Sequence, residues 1–99
     1  MNHIYYKVYE LIEKIPAGKV VTYGQIGKFC GINPRFVGRI LHSNPDPKKF
    51  PCHRVVNARG EAAENYAFGG KKAQFEKLYQ EKVLFIGDKV DLKKCLLEL

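Results

Sequence analysis

The chain has 99 residues, 45% of them hydrophobic, and its 17 Lys and Arg against 10 Asp and Glu leave a net charge of +7. This composition excludes a disordered chain, and the sequence contains neither an apolar run of the ~18–20 residues that span a bilayer nor a signal peptide. We therefore expect one soluble, intracellular domain over residues 1–99 with no membrane partner. The charge favours a polyanionic partner, nucleic acid first, although many small soluble proteins are simply basic.

The first predicted element is an amphipathic helix over residues 3–14, whose apolar residues recur on one side. Asn2 can cap its beginning, and the segment Pro16-Ala17-Gly18 ends it. A short extended segment, residues 19–21, is expected to follow.

Two short helices joined by a turn come next. Thr22 can cap the first, which runs from Tyr23 to Cys30 and is followed by Gly31 at the position that favours glycine. Asn33 can cap the second, residues 34–43, which has proline at its first position. This arrangement predicts a helix-turn-helix.

The second of these helices has two faces. Val37, Ile40 and Leu41 form an apolar side that can pack against the preceding helix. The opposite side carries residues spaced i, i+3, i+4 and i+7: Arg35, Gly38, Arg39 and His42. Its two cations and its glycine, which permits close backbone approach, suit a DNA backbone, while the alternative is an ordinary solvated face.

The second half of the chain is predicted to hold small strands and one longer helix. Three prolines exclude a regular helix from residues 44–53. After them we expect a strand over 54–57, a turn over 57–60 and a loop over 61–70. A helix should then run from Lys71 to about Lys82, with these residues at its apolar positions: Ala73, Phe75, Leu78 and Tyr79. Two short strands follow within 83–92, about a Gly87-Asp88 turn, and Asp91 caps a final helical turn. The fold class that results is mainly α with small β elements, a winged helix-turn-helix-like single domain.

The segment FPCHRVVN, residues 50–57, places a thiol beside an imidazole. A cysteine reacts as its thiolate, so Cys52 needs a neighbour that takes its proton, and His53 is the obvious base. Neighbouring residues of a strand point to opposite faces, and a contact between the two therefore requires a bend at Pro51 or a bridging water. The alternative is a buried cysteine beside a surface histidine. The other cysteines, Cys30 and Cys95, have no base beside them, and without a CxxC pair we expect no metal site and no disulfide.

The stretch NPDPKKFPCHRVVN closely resembles the active-site segment of the O6-alkylguanine-DNA alkyltransferases (methylated-DNA–protein-cysteine methyltransferases), whose PCHRV motif carries the alkyl-accepting cysteine. The resemblance covers about residues 4–92. IPAGKVVTYGQIG is similar to the first helix-turn-helix element of that family, NPRFVGRILHSNP to its recognition helix, NYAFGG to its substrate-pocket loop and QEKV to the segment of its catalytic glutamate.

The resemblance implies a catalytic set. Cys52 accepts the alkyl group after His53 takes its proton through a water, and Glu81 orients His53. Tyr23 protonates the departing guanine, and Asn44 stabilises the turn beneath the site. Each molecule reacts once, and no cofactor is implied.

The resemblance also implies how DNA is bound. The partner is double-stranded DNA containing O6-alkylguanine, the recognition helix enters the minor groove, and Arg35 fills the gap left by the flipped base. Further DNA-binding residues are Thr22, Tyr23, Gly38 and Arg39. The substrate pocket is formed by Val55, Tyr66, Gly69 and Gly70. We expect a monomer that is cytoplasmic or otherwise intracellular, in the nucleoid or the nucleus depending on the organism.

The sequence departs from the family pattern in two respects. It lacks the N-terminal domain of the two-domain enzymes, and in this it resembles the alkyltransferase-like proteins, which generally replace the reactive cysteine with Trp, Glu or Ala. YAFGG is one residue longer than the common YSGG, and Ala67 brings no hydroxyl to the base. A damage sensor that recruits other repair proteins therefore remains the alternative function. A winged-helix transcription factor explains the charge but gives no reason for PCHR.

Overall fold

A computed structural model describes residues 3–63 and 66–99. The elements in chain order are α1 (His3–Glu13), β1 (Val21–Thr22), α2 (Tyr23–Cys30), α3 (Pro34–His42), a single 3-10 turn (Cys52–Arg54), β2 (Val55–Val56), α4 (Gly70–Gln80), β3 (Phe85–Ile86), β4 (Lys89–Val90) and α5 (Leu92–Cys95). The predicted fold class, mainly α with small β elements, is confirmed. Within the described ranges no helix is long and apolar enough to cross a membrane. The cap predicted at Asn2 lies outside the described residues.

The helix-turn-helix is built by local caps. The Thr22 hydroxyl accepts a hydrogen bond from the backbone N–H of Gln25 at 3.1 Å, and the Gln25 side chain accepts one from the N–H of Thr22 at 2.8 Å, which forms a capping box. The Asn33 side chain likewise accepts from the N–H of Phe36 at 2.9 Å. Both predicted helix starts are therefore confirmed.

The turn between α2 and α3 depends on two glycines. Gly31 has φ of +73°, the left-handed conformation expected after a helix. A Cβ on Gly27 would lie 2.6 Å from the carbonyl oxygen of Ile32, so the turn approaches α2 here too closely for any side chain. Gly27 was not singled out by the sequence pattern.

The larger of two apolar cores fills the space between the first three helices. α1 contributes Val8, Tyr9 and Ile12, and α3 contributes Val37 and Ile40, all of them at most 1% exposed. Full burial of an aliphatic side chain stabilises a fold by roughly 1.5–3 kcal/mol, so the apolar face predicted for α3 holds it against α1 and α2.

Two small sheets complete the fold. β1 and β2 pair in parallel, with Val21 opposite Val55. β3 and β4 form an antiparallel hairpin after α4, with Phe85 opposite Val90. A second core lies between these elements and the C-terminus: Val20, Val56, Leu78, Val83, Val90 and Cys95.

Several predicted bounds are corrected by the structure. The strand expected over 54–57 is only Val55–Val56, because Arg54 belongs to the 3-10 turn. α3 ends at His42 and α4 at Gln80, before Lys82 takes a positive φ of 65°. Tyr79, expected at an apolar position, is 75% exposed, and Gln74 is buried instead.

Candidate functional site

The Cys52–Arg54 turn brings the thiol and the imidazole into the interior together. Both Cys52 and His53 are buried, at 4% and 7% exposure. A 3-10 turn advances three residues per revolution, so it does not send neighbouring side chains to opposite faces as a strand does. Of the hydrogen bonds among the described residues, none joins the Cys52 thiol to His53 directly, which leaves the water-bridged route of the sequence interpretation.

A carboxylate at the end of α4 holds the histidine. His53 Nε2 lies 2.9 Å from Glu81 Oε2. Arg54 binds the same carboxylate with two nitrogens, Nε to Oε1 at 2.9 Å and Nη2 to Oε2 at 2.6 Å, while its Nη1 donates to the carbonyl oxygen of Ile15 at 2.6 Å. The bidentate geometry fixes the orientation of the carboxylate. Arg54 had no predicted role, although it directly follows the Cys-His pair.

The charges of this group set the tautomer of the histidine. Burial alone would raise the pKa of Glu81, but hydrogen bonds from Arg54 and His53 outweigh it and hold this pKa below its usual value. Burial lowers the pKa of His53, against the opposing effect of Glu81. A neutral imidazole that donates Nε2–H to a carboxylate keeps Nδ1 as its basic nitrogen. The arrangement can therefore accept a proton at Nδ1.

The thiol and the nearby phenol both hold their protons at rest. Burial raises the pKa of Cys52, although the Asn44 amide and the Lys77 charge partly offset it by favouring the thiolate. Burial, and then the proximity of Cys52, raises the pKa of Tyr23 to about 12. Cys52 thus needs a base before it can react, and Tyr23 is available as a proton donor.

Asn44 closes the proline-rich loop beneath Cys52. Its Nδ2 donates to the carbonyl oxygen of Phe50 at 2.7 Å, and its Oδ1 accepts from the N–H of Asp46 at 3.0 Å. The side chain is 7% exposed and satisfied at both ends. It can stabilise this turn in the way that the resemblance implies.

Gln74 is a further part of the site, and the sequence pattern missed it. This fully buried side chain on α4 donates to the carbonyl oxygens of His53 at 3.0 Å and Val55 at 2.8 Å, and accepts from the N–H of Ala63 at 2.8 Å. It thereby ties the reactive turn to the loop after β2. The signal available in the sequence was its spacing, seven residues before Glu81 and on the same helical face.

A small cavity borders Cys52, and of the predicted substrate-pocket residues Tyr66 lines it. The cavity measures about 30 Å³, and it is lined by Tyr23, Gly38, Leu41, His42, Cys52, Ala63, Tyr66 and Ala67. That volume suits about one water molecule and is far too small for a purine. A base can therefore reach Cys52 only if side chains that line the cavity move apart.

The other predicted pocket residues have different positions. The carbonyl oxygen of Val55 already accepts from Gln74, and its N–H donates to the carbonyl oxygen of Cys52. Gly69 and Gly70, with φ of +115° and +79°, turn the chain into α4 and do not line the cavity. Asn65 of the predicted loop lies outside the described residues.

The cavity adjoins a groove of about 1510 Å³. Groove and cavity share Tyr23, Gly38, His42 and Ala63 in their linings. One wall of the groove is the polar face predicted for α3, where Arg35 and Arg39 are exposed and form no ion pair with a described carboxylate. The groove thus carries cations along α3 and adjoins the cavity that Cys52 lines.

The structure shows what surrounds two of the predicted DNA-binding residues, Gly38 and Thr22. A Cβ on Gly38 would meet only Cε1 of Tyr23, at 3.9 Å, so the fold itself does not require glycine there. Thr22 is buried and uses its hydroxyl to cap α2, and it does not line the groove.

Comparison with known proteins places this geometry among its relatives. The profile of a family described as 6-O-methylguanine DNA methyltransferase, DNA binding domain, matches residues 3–83. The chain is 37% identical over 86 residues to alkyltransferase-like protein 1 of Schizosaccharomyces pombe, covering 84% of this chain and 79% of that protein. It is 38% identical over 84 residues to a methylated-DNA–protein-cysteine methyltransferase of Methanocaldococcus jannaschii, covering 85% of this chain and 50% of that protein.

A solved structure extends the likeness to the fold. S. pombe Atl1 in complex with damaged DNA containing O6-carboxymethylguanine superposes with a TM-score of 0.83 at 29% sequence identity, covering 100% of this chain and 98% of that one. The chain therefore spans nearly all of that protein, but only about half the length of the M. jannaschii methyltransferase.

Proposed function

The chain belongs to the 6-O-methylguanine DNA methyltransferase family, whose DNA-binding domain it matches over residues 3–83, and on this premise we propose that it repairs DNA by moving an alkyl group from O6 of guanine to Cys52. The single observation that carries the proposal is the position of Cys52. It lines a small cavity that adjoins the cationic groove, and it directly precedes a histidine held by Glu81 and Arg54. Transfer requires such a relay, whereas DNA binding alone does not.

The first step is the extraction of the damaged base. Duplex DNA lies in the groove with α3 in its minor groove, where Arg35 and Arg39 face the DNA. Arg35 fills the gap left by the flipped nucleotide, and Gly38 lets the DNA backbone approach. Flipping costs a few kcal/mol, and least for a damaged pair. The base then enters the cavity beside Cys52 and displaces side chains that line it.

The second step is the transfer. Nδ1 of His53 takes the proton of Cys52 through a bridging water, and Glu81 stabilises the imidazolium that forms. The thiolate attacks the alkyl carbon, so the S–C bond forms as the C–O6 bond breaks, and the electron pair remains on guanine. Tyr23 supplies the proton that neutralises this leaving group, and the proton held by His53 then returns to Tyr23 through solvent, so that both side chains end neutral. The thioether persists, and each molecule reacts once without a cofactor.

A second candidate function is a damage sensor that binds O6-alkylguanine as a monomer and recruits other repair proteins. It is favoured by the match to nearly the whole length of Atl1 and by a Cys52 that is buried in a cavity the size of one water. Both functions use the same groove. They differ in whether Cys52 gains mass.

The deciding experiment is mass spectrometry of the protein after incubation with a tenfold excess of duplex DNA that contains O6-methylguanine. We expect one added methyl per chain, on the peptide that contains Cys52, and no further increase with time. Cys52→Ser, which preserves the size of the side chain, should bind the same duplex and gain no methyl. Binding without any methylation of the unaltered protein would support the sensor, and several methyl groups per chain would exclude a single-use mechanism.

A further inference from the structure

Lys77 lies behind the cavity that Cys52 and Tyr66 line. Neither the family motifs nor the catalytic relay assigns a role to this lysine. Its Nζ is 2.7 Å from the hydroxyl oxygen of Tyr66, 5.1 Å from the centre of the Tyr66 ring and 5.7 Å from that of Phe68. The two rings meet edge to face, with centroids 5.7 Å apart. Lys77 thus contacts both aromatic side chains of the segment that borders the cavity.

The direction of the Lys77–Tyr66 hydrogen bond follows from the chemistry of the two groups. An ammonium has three donors and no acceptor, so the hydroxyl oxygen of Tyr66 must accept. The hydrogen of that hydroxyl is then free to be donated to another group. Tyr66 is 8% exposed and lines the cavity beside Cys52.

We propose that Lys77 is a positioning residue, which holds the ring of Tyr66 against the base pocket and occupies its oxygen, so that the Tyr66 hydroxyl donates its hydrogen to an acceptor atom of the flipped guanine. Guanine offers acceptors such as N7 and O6. A methionine or leucine at position 77 would pack equally well but leave the hydroxyl free to rotate. The inference rests on the proposed function, because it needs a guanine in the cavity.

The charge of Lys77 has a second effect that the test must exclude. Burial raises the pKa of Cys52, and the positive charge of Lys77 lowers it. A loss of transfer rate after mutation of Lys77 would therefore mix two causes. Equilibrium binding by proteins that carry Cys52→Ser removes the thiol and isolates the contact with the base.

The test compares five proteins in the Cys52→Ser background: the parent, Tyr66→Phe, Lys77→Met, Lys77→Arg and the double variant Tyr66→Phe/Lys77→Met. The measured quantity is the preference, defined as the Kd for unmodified duplex divided by the Kd for the same duplex with O6-methylguanine. Each single variant should lower the preference about three- to tenfold, the usual contribution of one hydrogen bond. The double variant should lower it no further, because both changes remove the same donor. Lys77→Arg, which also only donates, should retain the preference within about threefold.

Three results would overturn the inference: an unchanged preference in Tyr66→Phe, losses that multiply in the double variant, or an equal loss in Lys77→Arg and Lys77→Met. A merely structural defect would weaken binding to both duplexes and leave their ratio unchanged. If the parent itself shows no preference for the lesion, the proposed function fails, and that outcome is distinct from all three.

Discussion

At the residue scale, Arg54 shows how one side chain sets the chemistry of its neighbours. It contacts the segment after α1 through the Ile15 carbonyl oxygen, and the C-terminal end of α4 through Glu81. Because Arg54 keeps this carboxylate ionised, the carboxylate can stabilise a proton on His53 when one arrives. Lysine could not replace the arginine, since it lacks the fork that reaches two oxygens and a carbonyl at once.

The pH dependence of transfer should report His53. Its pKa lies below the usual 6.5 because of burial, and only the neutral imidazole can take the proton of Cys52. We therefore expect a transfer rate that is level between pH 7 and 8.5 and falls only below pH 6.5. Single-turnover kinetics with labelled duplex would measure it. The same shift makes the unfolded chain bind protons more readily than the native state, so the free energy of unfolding should also decline as the pH falls below 6.5.

Glu81→Gln provides the matched control. The carboxylate opposes the lowering of the His53 pKa, so its removal should move the inflection to still lower pH and reduce the plateau rate. Loss of base assistance typically costs about 10²–10⁴-fold. If the transfer rate of the unaltered protein instead rises steadily from pH 7 to 9, Cys52 ionises without His53.

At the scale of elements, α4 carries the support of the site on one face. Gln74, Lys77 and Glu81 are spaced i, i+3 and i+7, and each contacts the reactive turn or the pocket loop. Apolar residues at helical spacing do not reveal this face, because its inward side chains are polar and form hydrogen bonds with residues distant in the chain. Only Leu78 of the predicted apolar positions on this helix is fully buried.

α3 offers a test of the groove through Gly38→Ala. An added Cβ meets nothing closer than 3.9 Å within the protein, and alanine in a helix interior is favoured over glycine by up to about 1 kcal/mol. The melting temperature should therefore rise, by about 4–8 °C for the full effect. Binding to duplex DNA should nevertheless weaken, because the methyl group occupies the space that the DNA backbone enters. Calorimetry and fluorescence anisotropy would measure the two effects.

Gly38 also lines the cavity beside Cys52, so reaction with free O6-alkylguanine base measures how far the added methyl group affects this cavity when no DNA backbone is present. The relative loss with the free base should be smaller than the relative loss with duplex DNA. Unchanged or tighter DNA binding by Gly38→Ala would show that the DNA backbone does not approach α3 at this position.

At the scale of the whole molecule, the net charge of +7 is concentrated in part on the groove. Opposite α3, the groove is lined by Lys71 and Lys72, neither of which forms an ion pair with a described carboxylate. Two carboxylates also lie there: Glu61, paired with Arg59 at 3.0 Å, and Asp88. The two lysines are therefore the free cations of this wall.

The double change Lys71→Ala/Lys72→Ala should reduce the salt dependence of duplex binding. Each lost phosphate contact lowers the slope of log K against log salt by about 0.9, so a decrease between about 1 and 2 is expected. Lys93→Ala/Lys94→Ala is the matched control, because that pair occupies the same positions in α5 and does not line the groove. Equal slopes for the two double variants would place the bound DNA along α3 alone.

The sequence by itself determined the features that depend on residues a few positions apart. Thr22 and Asn33 cap their helices through hydrogen bonds to residues three positions away, so their effect can be read from the chain. The Cys52-His53 pair and its family motif are likewise contiguous. This local information sufficed for the fold class and for the family.

The tertiary structure decided what links distant segments. Val21 pairs with Val55, and Arg54 joins Ile15 to Glu81, across separations of 27 to 39 residues in the chain. The periodicity of the sequence does not show which distant residues pair. The hydrogen-bond partners of a buried polar side chain become known only when the fold brings them together. The cavity beside Cys52 likewise depends on the tertiary structure, because it forms where α3 meets the segment that precedes α4.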